Sequence, residues 1–339
     1  MKRIILLMVL LLILLLHTLK ANSKVVLPQL TNPHHINADS KQLYVSGKTT
    51  ISSFSLPDCL FQKTFGQKGE GPGEFKEYFD VGLMLHAESD KLFISSRGRV
   101  TLYTKTGEFL KEERSLNGFH HQPIKGGYVG LNGITIDQTY YNEVTLFNSE
   151  FTVLKPLHRK KHWFQQGKKI DPINVRNPRF YSWKNRIYVE DQQAGVIRIF
   201  NNLGQEIGIT KKQIQLLKVT PQHHAKYHEY YRTHPYYKDR YYRLKHLVKF
   251  PDHFPPIKYF DVADEFIYLF TYIKREGKLQ LLIFNLEGKQ VKETFLSMPE
   301  IDTQAIYPLI KVANKTIYQI IENDDEEWEL HMTAINIHD

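Results

Sequence analysis

Ile267-Tyr268-Leu269-Phe270, followed by Leu281-Leu282-Ile283-Phe284 and then Glu287-Gly288-Lys289-Gln290-Val291, is one statement of a phrase that recurs along the chain. A short β-rich run, a polar turn, a second run ending in an aromatic, another turn and a third run make up the unit. The earlier statements begin at Leu43-Tyr44-Val45-Ser46, Leu92-Phe93-Ile94-Ser95, Tyr128-Val129-Gly130 and Ile187-Tyr188-Val189, and a later one at Ile317-Tyr318-Gln319-Ile320. Six units follow. The aromatic that ends the second run falls at 54, 103, 147, 200 and 284, giving gaps of 49, 44, 53 and 84 residues. The last gap is one repeat plus an insertion of roughly 35 residues.

Each unit offers three or four short strands rich in Val, Ile, Tyr, Phe and Thr, punctuated by Gly or Asn turns. A unit this small cannot bury both of its faces alone, so the six must pack face to face around an axis. The expected fold is all-β: a six-bladed β-propeller with a helical insertion between blades four and five. A ladder-like solenoid would need a shorter and stricter period. Lys24-Val25-Val26-Leu27, ahead of the first unit, is placed to pair with the last blade and close the ring.

The pattern resembles six-bladed propellers of the NHL-repeat type, particularly exported bacterial members. Three features carry the resemblance: the strand–turn–strand phrase with its aromatic and Gly, the segment Gly66 to Phe75, and Phe250-Pro251 through Pro255-Pro256-Ile257 leading into blade five. It spans residues 30–339. It implies the fold; such propellers serve as binding platforms, structural modules and occasionally enzymes.

Composition agrees with a globular chain: of 339 residues, 42% are hydrophobic, 13% aromatic and 24% charged. The single cysteine, Cys59, excludes an intramolecular disulfide and a cysteine-rich zinc site, and reads as a lone buried or strand-edge thiol. Lys2 and Arg3 precede thirteen apolar residues, Ile4 to Leu16, the length of an export-signal core and short of the ~20 needed to span a bilayer. Residues 1–23 are therefore expected to be a signal peptide, cut after Ala21 or Ser23, or an uncleaved N-terminal anchor. The propeller is expected over 24–339, with insertion and linker at 211–257. Removing Lys2, Arg3 and Lys20 takes the net charge from +9 to +6. The protein is expected to be exported: periplasmic, extracellular or anchored by its N-terminal segment.

Residues 221–250 stand apart, with seven Tyr and five His in thirty residues and a net charge of +5. Thr220-Pro221 reads as the cap and first turn of a helix, and Thr233 with Pro235 as the start of a second. Tyr227, Tyr230, Tyr231, Tyr237, Tyr241 and Leu244 suit a face packed on the propeller. Lys226, Arg232, Lys238, Arg240, Arg243 and Lys245 would then form a docking surface for an acidic glycan, an acidic protein or an anionic membrane surface. The bland reading is a solvated helix pair. Nucleic acid is not expected, since an exported protein meets little of it. A second basic stretch, His158 to Trp163 with Lys168-Lys169, adds a charged groove if it shares a face with the insertion. The acidic run Glu322 to Glu327 reads as an exposed turn.

Gly66-Gln-Lys-Gly-Glu-Gly-Pro-Gly-Glu-Phe75 invites a phosphate-cradle reading, but no Gly-Lys-Ser/Thr ending or basic residue stands where a phosphate would sit. It is expected to be a tight blade-to-blade crossing. Counting eight residues back from the first apolar residue of each presumed innermost strand gives an axial register: His35, Met84, His120, Arg179, Tyr259 and Leu309. His35, His120, Arg179 and Tyr259 are the candidate ligand-binding residues. The two imidazoles leave room for a divalent metal, yet the register supplies no carboxylate, and neither a metal nor another cofactor is assigned. No nucleophile elbow, paired-carboxylate spacing or HExxH motif occurs, so no catalytic residue is assigned either. The preferred expectation is a non-catalytic exported binding or scaffold module engaging a protein or glycan. The alternative is a metal-dependent lyase or hydrolase with an axial active site. Oligomeric state is open.

Overall fold

The computed structural model describes residues 22–77, 82–115, 117–162, 169–173, 177–233, 238–301 and 308–337. Six four-stranded antiparallel sheets form the blades of a propeller. The innermost strands are His35–Ala38, Met84–Ala87, Phe119–Ile124, Phe180–Trp183, Tyr259–Ala263 and Ile310–Ala313. Blade six is completed by the N-terminal strand Asn22–Val26, which pairs antiparallel with Trp328–Ala334 from Asn22 opposite Thr333 to Val26 opposite Glu329. The closing strand thus starts two residues before the expected boundary at 24. Of the expected signal segment 1–23, residues 1–21 lie outside the described ones and Asn22 and Ser23 belong to this strand.

One expectation needs correction. The apolar run of each repeat, such as Gln42–Ser46, is the second strand of its blade and not the innermost. Second strands are apolar because both of their faces are covered: Leu43, Tyr44 and Val45 are all buried. The true innermost strands are short and carry polar residues toward the axis, so they lack an apolar run to announce them.

Apolar packing follows the blade junctions. Each pair of neighbouring blades, including six against one, shares a cluster of buried side chains. The thinnest joins blades two and three through Phe93, Val100, Leu102, Tyr128, Phe147 and Phe151. The repeat's Asn-x-x-Gly turn has a direct physical cause. Asn285 Oδ1 accepts the backbone N–H of Glu287 at 3.2 Å and of Lys289 at 2.9 Å, while Gly288 takes φ +84°. Gly288 also lies against blade four, where an added Cβ would stand 2.3 Å from the Ile209 carbonyl oxygen. The Gly-rich segment is a crossing, as expected: it carries Phe75 into the junction of blades one and two, with Tyr103 Oη donating to the Gly73 carbonyl at 2.5 Å.

Strand direction defines two faces. Innermost strands begin at an entry face, where outer strands also end, and finish at an exit face. The insertion joins Ile209, the end of blade four's outer strand, to Tyr259, so it sits on the entry face. Its first helix is Pro221–Thr233 and its second Lys238–Leu244. Thr220 Oγ1 and His223 Nδ1 pair at 3.1 Å around the first helix's start, where a cap was expected. Thr233 instead finishes this helix, its hydroxyl donating to the Glu229 carbonyl at 2.9 Å, so it is not the cap of the second. Pro235 and Tyr237 lie outside the described residues. The acidic run falls in the hairpin between Thr316–Glu322 and Trp328–Ala334 and is largely exposed.

Candidate functional site

Two layers of side chains, one from each blade, line the axis. In a strand, residues i and i+2 share a face, and each innermost strand uses this twice. The first layer, at the entry face, is His35, Met84, His120, Arg179 and Tyr259, which together line a chamber of about 70 Å³. Sequence reasoning placed all five in register. The sixth, Leu309, instead packs against the cluster between blades six and one, and its neighbours Pro308 and Ile310 line the chamber.

The second layer, two residues further on, is Asn37, His86, Gln122, Tyr181, Asp261 and Lys311; all but His86 and Asp261 also line the chamber. These residues were missed, although the same count plus two would have found them. Most of this layer ties blades together. Asn37 Nδ2 donates to the Leu85 carbonyl at 2.9 Å, and Gln122 Nε2 to the Phe180 carbonyl at 3.2 Å. Asp261 accepts from Lys311 Nζ at 2.6 Å and from the Val312 N–H at 2.7 Å. Tyr259 Oη donates to the Ile310 carbonyl at 2.8 Å and lies 3.0 Å from Tyr181 Oη.

The electrostatics of the axis follow from burial. Burial, then the nearby Lys311 charge, lowers the His35 pKa to about 3. Burial, then His35 and His121, lowers His120 to about 3, and burial with Lys311, Lys105 and His35 does the same for His86. All three imidazoles are neutral near pH 7, consistent with His35 Nδ1 accepting the Leu85 N–H at 3.2 Å. Burial raises the carboxyls of Asp261 and Glu190, opposed by Lys311 in the first case and Arg179 in the second. Arg179 is held by the Lys258 carbonyl at 3.0 Å and lies 3.5 Å from Glu190.

His120 sits at φ +56° in a bulge where Phe119 faces Leu131 and Gln122 faces Val129. The bulge is possible because the residue opposite is Gly130, whose added Cβ would stand 2.8 Å from His121. It aims His120 at the axis and His121 at the junction of blades two and three. There His121 lies edge-on to Phe147 and Phe151. A divalent metal at the axis would find the imidazoles of His35 and His120, but among the described residues no three His, Cys, Asp or Glu gather to hold one. Asp261, the carboxylate of the second layer, is engaged by Lys311.

The insertion raises a shelf beside the chamber. Tyr227 is buried with Ile173, Val219, Phe254 and Tyr272, the last from blade five's long second strand Phe266–Arg275. Lys226, Arg232, Lys238, Arg243 and Lys245 are exposed on it; the side chain of Arg240 lies outside the described residues. Arg232 pairs with Glu229. Lys226, Lys238, Arg243 and Lys245 have no carboxylate within salt-bridge distance among the described residues. The blade three-to-four connector joins the shelf, with Ile170 bridging to Val248, so the second basic stretch shares this face. Trp163 and Lys168 lie outside the described residues. At its inner end Lys160 is lowered to about 8 by burial, against the pull of Glu190.

At the exit face the axis widens into a funnel of about 910 Å³, which sequence reasoning did not anticipate. It is built from the turns between first and second strands, among them Asp39-Ser40, Glu88-Ser89, Lys125-Gly126 and Lys184-Asn185.

No family model matches the chain, and no curated protein does. Solved structures are similar in shape. A Bacteroides fragilis protein inferred to be exported is 11% identical, with 93% of this chain and 96% of that one covered at a TM-score of 0.49. A DUF4221 family member from Bacteroides vulgatus is also 11% identical, with 94% and 99% covered at 0.47. Hsv2 of Kluyveromyces lactis is 6% identical, with 88% and 96% covered at 0.34. At these identities and scores they bear on neither ligand nor activity.

Proposed function

We propose that the protein is an exported, non-catalytic binding propeller of the NHL-like kind, whose entry face receives an acidic glycan. The observation behind this reading is the shelf: its aromatic side is buried while Lys226, Lys238, Arg243 and Lys245 stay exposed without carboxylate partners among the described residues. Cations held on an anchored element meet a polyanion at little further cost in chain entropy. The axial chamber, ringed by His35, His120, Arg179 and Tyr259, lies on the same face, and at about 70 Å³ it has room for a carboxylate of such a chain and not for a whole sugar ring. Catalysis is disfavoured because the axial charges are already engaged, Lys311 with Asp261 and Arg179 with Glu190.

The test is binding of immobilised polygalacturonate, with neutral dextran as control, by the natural protein and by K238E/R243E/K245E. Retention that weakens with salt and drops at least about tenfold on charge reversal supports the reading. Equal retention of both proteins, or none by either, ends it.

A further inference from the structure

The funnel at the exit face is lined by side chains whose hydrogen-bonding capacity is unused. Ser182 and Trp183, adjacent at the end of blade four's innermost strand, both line it. Ser182 Oγ and Trp183 Nε1 are buried and find no hydrogen-bond partner among the described residues. His86 lines the same cavity, and its imidazole makes no hydrogen bond among the described residues. Two carboxylates of the rim, Asp39 and Asp264, are already engaged. Asp39 takes the N–H groups of Lys41 and Gln42 and, at 2.6 Å, the Lys105 ammonium. Asp264 takes the N–H groups of Asn314 and Lys315. Of the lining lysines, Lys184 pairs with Glu265, Lys111 with Glu113 and Lys311 with Asp261. Lys125 Nζ has no partner among the described residues, and Lys91 has only Asp90 at 3.7 Å. Glu88 is the remaining acid of the rim; burial raises its pKa, opposed by the nearby Lys91 and Lys105.

We infer that the funnel is a second binding site, for a sugar acid of one or two rings. The chemistry of the wall selects it. Unspent hydrogen-bonding capacity in the wall, on Ser182, Trp183 and His86, suits a polyhydroxylated ligand, and the uncompensated ammonium of Lys125 matches a carboxylate. Trp183 and Pro123, with the edges of Phe93 and Leu102, offer apolar surface to the C–H faces of a sugar ring. The volume falls within the range of small-molecule sites. Gly126 takes φ +91° with nothing within 4 Å of an added Cβ, so the turn carrying Lys125 leaves the mouth open. This site lies at the opposite end of the axis from the shelf and does not depend on it.

The experiment is titration with galacturonic acid, its disaccharide and neutral galactose, followed by calorimetry and by tryptophan emission. The proteins compared are the natural one, Lys125→Gln, Trp183→Phe and K238E/R243E/K245E. Saturable binding of the acids is expected, with galactose at least about tenfold weaker. Lys125→Gln should remove that preference, Trp183→Phe should weaken every sugar about tenfold by deleting one donor, and the shelf variant should bind as the natural protein does. Lys125 is exposed on a turn, so its replacement leaves the fold intact. No saturable binding up to about 10 mM, binding untouched by Lys125→Gln and Trp183→Phe, or binding lost only in the shelf variant overturns the assignment. Galactose bound as tightly as the acids overturns the charge selection.

Discussion

His35, His86 and His120 make the axis sensitive to acid. Their folded pKa values are lowered to about 3 against an ordinary 6.5, with burial the first cause for each, Lys311 the next for His35 and His86, and the neighbouring His35 and His121 for His120. Between those two values the unfolded chain binds protons that the folded chain refuses. Stability therefore falls as pH drops from about 6.5 toward 3, by roughly 1.4 kcal/mol per pH unit for each histidine. Asp261 and Glu190 act in the other direction: their raised carboxyls take up protons in the folded state first, so they gain stability as pH falls through their folded pKa. Three histidines should outweigh two carboxyls down to the carboxylate range. Urea midpoints should thus decline from pH 6.5 to 5, and His86→Gln should make that decline shallower by about one proton. An unchanged slope in that variant would mean His86 is protonated in the folded protein. Glycine supplies a second residue-level prediction. Gly288→Ala forces both a positive φ and a 2.3 Å contact with Ile209, whereas Gly277→Ala, at φ +76° with nothing within 4 Å, forces only the first. The Gly277 variant should lose about 1–2 kcal/mol and the Gly288 variant distinctly more, as denaturant unfolding would record.

At the scale of the element, what the sequence reveals depends on how a strand is covered. Second strands were legible because both faces are buried, as in Leu43 to Val45 or Ile267 to Phe270. The innermost strands were not, since Asn37, Asp261 and Lys311 interrupt any apolar run while serving as bridges between blades. Their positions still fell into register because the turn between first and second strands is short in every blade. For the same reason the first axial layer was legible, while the funnel, formed by six separate turns, leaves no linear trace. The insertion shows the other limit: Thr220-Pro221 marks a helix start locally, but Thr233 turned out to close that helix. What holds the shelf is tertiary, the burial of Tyr227 among Ile173, Val219, Phe254 and Tyr272. Tyr227→Ala should cost about 3 kcal/mol, and the loss should be local. Hydrogen exchange should accelerate across 221–247 while the blade strands keep their protection. Acceleration spread evenly over the propeller would mean the insertion is part of its cooperative core.

For the whole molecule, closure is the decisive contact, and it makes the position of any cut near the N-terminus matter to folding. The strand Asn22–Val26 adds five residue pairs to blade six, with Leu27 buried beneath it and its N–H donating to the Trp328 carbonyl at 2.7 Å. Lys24 reaches Glu329 at 2.9 Å on the same edge. Without this strand, Trp328–Ala334 becomes an open edge and a template for pairing with another copy. A cut after Ala21 leaves the strand whole, whereas a cut after Ser23 removes the pairs of Asn22 with Thr333 and Ser23 with Met332. Chains beginning at Asn22, Lys24 and Pro28 should therefore form a graded series. The second should melt cooperatively but be less stable than the first by about 1–2 kcal/mol, the net worth of one or two backbone hydrogen bonds. The third should lose more and self-associate in gel filtration. Equal stability of all three would show that the ring closes by packing alone. Strand polarity adds a direction to this. Asn22 pairs near Ala334 at the exit face, so the segment before it leaves from the funnel side, opposite the shelf. If that segment is retained as an anchor, the shelf faces away from the membrane. A protease that cuts near the exposed Lys238 and Arg243 should then reach the insertion in cells whose outer envelope has been opened as readily as in purified protein. Protection in cells alone would reverse that orientation.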